Sequence, residues 1–477
     1  MWRQIGISSH QRQVPSRGLK RCRLIHLLIL LVVIAFLPSF SHWLFIATEH
    51  PADWSFSTAS GDTGGIEICT SDWYAPIRAT VDGSYRLQLN LPVDSTIATT
   101  RFNRVHSSKV MKFDRYPRPL SFEDMAAIED RLWRLPVDNR VYLLYPQSLN
   151  MSEVVSRVKS CRAVPESPEN NPPIQLLHVS STICLPVKEN DVNTSFALES
   201  KYDLVVMVKS AVYNFHDRQT FRSLYARIND FSKHSTYPLR IGILFSVGLP
   251  RRSGNRIFDR DGYNLTLTNR AGEALKDTEH THPLILRHLR QEVLQYNDLL
   301  VGDYEDTYYN LTTKMMTAFQ WAARFCRTER PGFLFIDDDF GFHPANLRHL
   351  LGGLEADWRE RMIVGVEHTK VPVLRFGKTA YFYPWAFSKR EMPWPQLAPY
   401  SYGAFYFLGY EQVEKLAIAM HFTRPIPVDD VWLGLIMTKL GLRFQYRPGI
   451  RLLTRFNGIR KREIIMPMPA LYKMLRV

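Results

Sequence analysis

Apolar residues in the second half of this chain gather in short unbroken runs, and between those runs they fall back to helical spacing. Tyr202 to Val208, Leu239 to Val247 and Phe333 to Ile336 each read as a strand buried on both faces. Asp217 to Tyr225 and Asn310 to Arg324 read as helices, and Leu347, Leu350 and Leu351 continue the helical stripe after Pro344. Glu292 to Asp303 reads as a further short strand between carboxylates, and Val431 to Leu440 as an apolar helix behind Asp429-Asp430. Strands alternating with helices predict an α/β fold with a mainly parallel central sheet.

The first half is patterned differently. Leu24 to Ala47, opening with Leu27-Leu28-Ile29-Leu30-Leu31, is long and apolar enough for one membrane span. Arg3, Arg12, Arg17, Lys20, Arg21 and Arg23 precede it, whereas Glu49 and Asp53 follow, so the positive-inside bias puts residues 1–23 in the cytosol and the remainder in a lumen. An uncleaved signal anchor over 24–47 is expected ahead of a cleaved signal peptide, since the preceding tail is long and no small-x-small site follows. Residues 48–115 mix Ser, Thr, Gly and Asp with scattered aromatics and read as a stem. Residues 116–199 hold a predicted helix near Phe122 to Leu135 and a predicted strand at Val141 to Tyr145, with no assignable chemistry. Residues 200–477 are the expected catalytic domain.

Composition narrows the possibilities. A chain of 477 residues with 45% hydrophobic and 12% aromatic residues can bury a large core. The net charge of +14 is concentrated partly in the tail, and no dense Lys/Arg run or RNA-binding signature stands in the globular part, so nucleic acid is not an expected partner. A lumenal setting makes Asn150, Asn193, Asn264 and Asn310 glycosylation sequons and places Cys69, Cys161, Cys184 and Cys326 where disulfides form, with three pairings open. Cys22 stands at the cytosolic edge of the span.

The candidate chemistry begins at Asp337-Asp338-Asp339, directly after the Phe333 strand. Adjacent carboxylates at the end of a buried strand repel one another and resist desolvation unless a cation meets them. Strand carboxyl ends are also where open α/β sheets bind ligands. The competing expectation is a solvated acidic turn leading into the next helix. Arg218 and Arg222, one helical turn apart, are spaced to grip a diphosphate, although a solvated face or structural ion pairs would use the same spacing. Asp429-Asp430 precede the apolar helical stretch Val431 to Leu440, and by residue type and place alone Asp430 reads as a cap for that helix.

Taken in order, Arg218-x-x-Phe221-Arg222, Glu292-x-x-x-Tyr296-x-Asp298, Asp306-x-Tyr308-x-Asn310-Leu311-Thr312-x-Lys314, Asp337-Asp338-Asp339, Pro399-Tyr400-x-x-Gly403-x-x-Tyr406 and Pro427-Val428-Asp429-Asp430-Val431-Trp432-Leu433-Gly434 resemble the beta-1,3-galactosyltransferase family. That family also holds beta-1,3-N-acetylglucosaminyltransferases and, more distantly, the Fringe enzymes. The resemblance covers roughly residues 200 to 445. Three departures stand out: Tyr225 where the family commonly has Trp, Phe335 where it often has Lys, and Gly403-Ala404 in place of a longer Gly-rich stretch.

The resemblance implies a type II Golgi membrane protein with a GT-A catalytic domain behind a single transmembrane helix. It further implies inverting, metal-dependent transfer from a UDP-sugar to the 3-hydroxyl of a glycan on a glycoprotein or glycolipid. Galactose is the first expectation for the transferred sugar and N-acetylglucosamine the second. Asp337 and Asp339 are the expected ligands of Mn2+ or Mg2+, with Asp337, Asp338, Arg218 and Arg222 around the donor. Asp430 is the expected base and Asp429 its substitute. Tyr381, Tyr383, Trp385, Trp394, Tyr400, Tyr402 and Tyr406 are candidates for an acceptor platform, against a core role for most of them. The alternatives of other classes are a membrane-anchored glycan-binding or chaperone-like protein without turnover, and a metal-dependent phosphoryl hydrolase. Donor sugar, acceptor and oligomeric state are not legible in the sequence.

Overall fold

The computed structural model describes residues 66–67, 77–97 except 81 and 88, 121–184, 201–226, 239–377 except 268–269 and 277, 384–452 and 460–475. The predicted span over 24–47 and the sequon at Asn193 lie outside these residues. No helix among the described residues is long and apolar enough to cross a membrane.

Ten strands form one sheet: β1 (Ile66–Glu67), β2 (Ile77–Ala79), β3 (Tyr85–Leu87), β4 (Ile174–His178), β5 (Leu204–Lys209), β6 (Ile241–Leu249), β7 (Leu299–Glu305), β8 (Gly332–Asp337), β9 (Ile363–Val364) and β10 (Phe405–Leu408). Their spatial order is β1-β2-β3-β4-β7-β6-β5-β8-β10-β9. The central strands β7, β6, β5 and β8 run parallel, and both edges grow by antiparallel pairing. The parallel centre follows from composition: Leu204 to Val208 and Gly332 to Ile336 are buried throughout, as strands covered on both faces are. β2 and β3 fall within the stretch read as a stem, yet β3 pairs with β4, so this part of it is built into the sheet through backbone hydrogen bonds that weak side-chain patterning does not reveal.

The main helices are α1 (Phe122–Ala127), α2 (Met151–Lys159), α3 (Phe215–Tyr225), α4 (Thr278–Tyr296), α5 (Leu311–Phe325), α6 (Pro344–Gly352), α7 (Tyr410–Met420), α8 (Asp429–Lys439) and α9 (Met468–Leu475), with shorter helical turns between some of them. α5 and α7 are joined by buried polar contacts as well as apolar ones: Gln320 Nε2 donates to Ala417 O at 2.6 Å and Tyr410 OH to Ala323 O at 2.6 Å. Cys184 and Cys326 form a disulfide, tying the chain after β4 to the end of α5.

Three expectations about elements are corrected. Val141 to Tyr145 belongs to the 3-10 turn Asn139–Leu144, not a strand: the Asp138 carboxylate caps its first turn at Arg140 N–H, and the buried Tyr142 hydroxyl reaches Gln396 O and Leu397 O. Glu292 lies on α4, and its strand begins only at Leu299, because Glu292 faces the buried Arg218 guanidinium of α3 rather than a sheet neighbour. The helix expected to Leu135 stops at Ala127, where Ile128 turns extended.

Candidate functional site

The end of β8 is wedged between β5 and the loop into β10. Asp337 stands opposite Lys209 in the parallel register, its N–H donates to Ala404 O at 2.9 Å, and the Asp338 N–H donates to Lys209 O at 3.3 Å. The Lys209 amine meets Asp337 Oδ1 at 2.8 Å and also donates to Gly403 O. Burial alone would depress that amine, but the Asp337 and Asp429 carboxylates hold it charged, well above the usual lysine range.

The three aspartates have different environments. Burial pushes the Asp337 carboxyl up to about 7 against the pull of Lys209, with Asp339 and Asp429 raising it further. Asp338 is buried, and its Oδ2 accepts from the Ser210 hydroxyl at 2.6 Å and Asn214 Nδ2 at 2.9 Å. Burial raises its pKa, and those two donors oppose the rise. Asp339 is exposed, while its carbonyl accepts from Met468 N–H at 2.8 Å.

Asp429 and Asp430 occupy the first turn of α8 behind Val428 at the N-cap position, and no side chain caps the helix there. Asp430 therefore does not take the capping role. Its Oδ2 accepts from Gly403 N–H at 2.9 Å, whereas its Oδ1 is buried with no hydrogen-bond partner in the structure. Burial first, and the neighbouring Asp429 charge second, push the Asp430 carboxyl up to about 7, against the Gly403 N–H. α8 reaches this position because Gly434 has no side chain: a Cβ there would meet Pro399 O and Tyr400 Cβ at 2.5 Å. The Tyr406 hydroxyl, buried and without a hydrogen-bond partner, lies within electrostatic reach of Lys209, Asp429, Asp337 and Asp430.

Arg218 and Arg222, expected around the donor diphosphate, are instead found in ion pairs within the fold. Arg218 is fully buried and its N–H groups are all taken: two by Glu292 at 2.8 and 2.7 Å, the others by Ser210, Ala211 and Val212. Arg222 binds Asp298 at 2.7 and 2.8 Å and Glu292 at 2.7 Å, with its guanidinium 4.0 Å from the Tyr296 ring centroid. Burial alone would raise the Glu292 carboxyl, and the Arg218 hydrogen bonds bring it below its usual range. The motif pairs therefore join α3 to α4 and to Asp298 in the turn that leads into β7. In the same way Lys314 meets Asp306 at 2.7 Å and Ser210 O at 2.6 Å, both side chains being buried.

Sequence reasoning missed Lys209, Ser210 and Asn214 as site residues. The signal was present in Lys209-Ser210, a polar pair ending an apolar strand. Of the aromatic candidates, Trp394, Tyr400 and Tyr406 are buried, Trp385 and Tyr402 are exposed, and Tyr381 and Tyr383 lie outside the described residues. Tyr225 uses its hydroxyl to accept from Phe342 N–H at 2.6 Å and to donate to Phe342 O at 2.8 Å. Phe335 stacks between Phe319 and Tyr406, so no cation stands at that position.

Among the described residues, no three His, Cys, Asp or Glu side chains converge as a ready-made metal cage. Asp337 and Asp339 place two hard carboxylates two residues apart at this turn, the donor type that Mn2+ and Mg2+ prefer.

Residues 277–447 match the galactosyltransferase family model, which bears out the resemblance seen in the motifs. The chain is similar to the Rattus norvegicus lactosylceramide 1,3-N-acetyl-beta-D-glucosaminyltransferase, at 27% identity over 50% of this chain and 55% of the relative. The Homo sapiens protein of that name is 29% identical over 50% of this chain and 54% of its own. A Bos taurus UDP-GlcNAc:betaGal beta-1,3-N-acetylglucosaminyltransferase 9 is 28% identical over 52% and 55%. The chain thus spans little more than half the length of these relatives. A solved mouse xyloside xylosyltransferase 1 aligns over 52% of this chain and 84% of its own at 11% identity, with a TM-score of 0.18 too low to carry any argument.

Proposed function

We infer, from a chain whose residues 277–447 match the galactosyltransferase family model, that it is an inverting glycosyltransferase making a β1,3 linkage from a UDP-sugar to a glycan. The observation that carries this reading is Asp430: one carboxylate oxygen is held by Gly403 N–H, and the other is buried, unpartnered and close to neutral pKa. A carboxylate in that state is suited to take the proton of an acceptor 3-hydroxyl at Oδ1 as that oxygen attacks the sugar. Asp429, on the preceding position of the same turn, raises the basicity of Asp430 by its charge. Lys209 keeps Asp337 in place and joins it to the Gly403 loop that orients Asp430.

Asp337 and Asp339 would hold the divalent cation, whose chemistry when bound is to stabilise the charge gathering on the departing UDP. Asp338, fixed by Ser210 and Asn214, shapes the turn that presents them. The relatives' names favour N-acetylglucosamine as the transferred sugar, and the family's name keeps galactose as the second reading. Golgi membrane attachment through residues 24–47, with a lumenal catalytic domain and a glycoprotein or glycolipid acceptor, belongs to the same proposal.

The test is UDP release by purified protein with UDP-GlcNAc, UDP-Gal and UDP-GalNAc, a panel of acceptor glycans, and Mn2+ or chelator. Acceptor-dependent release with one donor, abolished by chelator and in Asp430→Asn, is expected. A folded protein that binds UDP but turns over no donor across a broad glycan array would instead favour a glycan-binding role.

A further inference from the structure

We propose that Trp385, braced by Tyr308, is the wall against which the acceptor sugar stacks, and that the sugar it takes there is a neutral pyranose. This inference rests on the transferase reading of the Asp430 site and specifies its acceptor side.

Trp385 is 47% exposed, an unusual state for the largest side chain, and yet it is fixed in place. Its indole Nε1–H donates to the Tyr308 hydroxyl at 2.7 Å. The segment that carries it is fastened from below. The buried Arg260, on the strand Ile257–Arg260, donates to Pro384 O at 2.9 Å, immediately before Trp385, and grips the Glu391 carboxylate at 3.0 Å. Arg260 also lies 5.3 Å from the Tyr309 ring centroid, and Tyr309 packs edge-on against Tyr308 at 5.7 Å. An exposed indole held at both ends loses little freedom on binding, which is what a stacking surface requires.

The position is as informative as the rigidity. The Tyr308 phenol lies within electrostatic reach of both Asp429 and Asp430. Trp385 is therefore one hydrogen bond away from a phenol that feels the charge of the proposed base. The apolar C–H face of a pyranose packs on an aromatic ring while its hydroxyls reach polar groups at the rim. The Asp429 and Asp430 carboxylates would repel a sialic or uronic acid at the same place. Tyr402, 37% exposed and packed at a tilt against His368 with ring centroids 3.8 Å apart, lies next in sequence to Gly403, whose N–H holds Asp430, and offers a second ring near the site. Trp394 and Tyr406, from the same group of aromatic candidates, are buried in the core and offer no face to a ligand.

The experiment has two arms. In the kinetic arm, Trp385→Ala is expected to raise the acceptor KM about tenfold, leaving the UDP-sugar KM and the melting temperature unchanged, while Trp385→Phe retains most of the acceptor affinity. An unchanged acceptor KM in Trp385→Ala overturns the proposal, as does a parallel rise in both KM values with a lowered melting temperature. In the binding arm, saturation-transfer NMR compares lactose, N-acetyllactosamine and 3′-sialyllactose on unreacted wild-type and Trp385→Ala protein. Contact with the neutral sugars that disappears in the variant supports the wall even if no donor is turned over, in which case the transferase reading fails alone. Preferential contact with the sialylated sugar, or contact with the neutral sugars that survives in the variant, overturns it.

Discussion

Lys209 and Asp337 occupy matching positions at the ends of neighbouring parallel strands, and their side chains meet at 2.8 Å across the sheet. The same amine donates to Gly403 O, so one cation links the strand that carries the aspartate triplet to the loop that holds Asp430.

Replacing Lys209 by Met keeps its length and removes its charge. The carboxylates it faces would lose their cation, and Gly403 O its donor. Lys209→Met is expected to lower stability by about 1–3 kcal/mol, read as a lower urea midpoint at unchanged m. UDP release in the same variant should fall even at saturating Mn2+, because Gly403, whose N–H orients Asp430, loses the amine that holds its carbonyl.

Asp430 makes a prediction with two signs. A base acts only when deprotonated, so kcat/KM should rise with pH and level off above about 7, where this carboxyl titrates in the fold. Because its folded pKa is raised above the ordinary 3.8, its contribution to stability is complete at low pH and is lost as pH rises through about 7. Asp430→Asn should therefore lower the rate by about 10²–10⁴-fold. At pH 8 it should melt above the wild type, by an amount on the order of 2 kcal/mol. Loss of rate together with loss of stability at pH 8 would contradict this account of the group.

Where the sequence was legible, the physics was local. Five buried residues in a row at Leu204 to Val208 specify a strand covered on both faces, and the parallel centre of the sheet followed from such runs. The triplet Asp337 to Asp339 could be placed at a strand end for the same reason. What could not be read was pairing across the fold. Arg218 and Arg222 have the spacing of a diphosphate clamp, but only the docking of α3 on α4 shows that Glu292 and Asp298 already occupy them. Val141 to Tyr145 has a strand's composition, yet the turn there is set by the Asp138 cap and the distant carbonyls of Gln396 and Leu397. Lys209 was visible as a polar residue ending an apolar strand, and its importance appears only with its register against Asp337.

The corrected role of Arg218 can be measured. A ligand-binding arginine would show itself in the UDP-sugar KM, whereas one that saturates a buried carboxylate shows itself in folding. Arg218→Ala leaves Glu292 buried with its strongest partner gone, and is expected to cost about 3–5 kcal/mol. Arg222→Lys, which keeps charge but loses the two-pronged contact to Asp298, should cost less and leave the UDP-sugar KM within about twofold of wild type, since its ion pairs are with Asp298 and Glu292. A tenfold rise in that KM with unchanged stability would restore the diphosphate role.

Lys439 gives a test remote from the site. It lies in the last turn of α8, buried, with Leu143 O at 3.1 Å as its hydrogen-bond acceptor and, among the described residues, no carboxylate in a salt bridge with it. Burial pushes its amine down to about 7 from the ordinary 10.5. Between those values the unfolded chain binds a proton that the folded chain does not. Stability should therefore rise with pH from about 7 to 10.5, opposite in slope to the Asp430 contribution at lower pH. Lys439→Met fills the same space without a group to protonate. It should flatten the alkaline limb and stabilise the protein at pH 7 by about 2 kcal/mol, measured by urea unfolding across pH. A variant that keeps the wild-type slope above pH 7 would place the titrating group elsewhere.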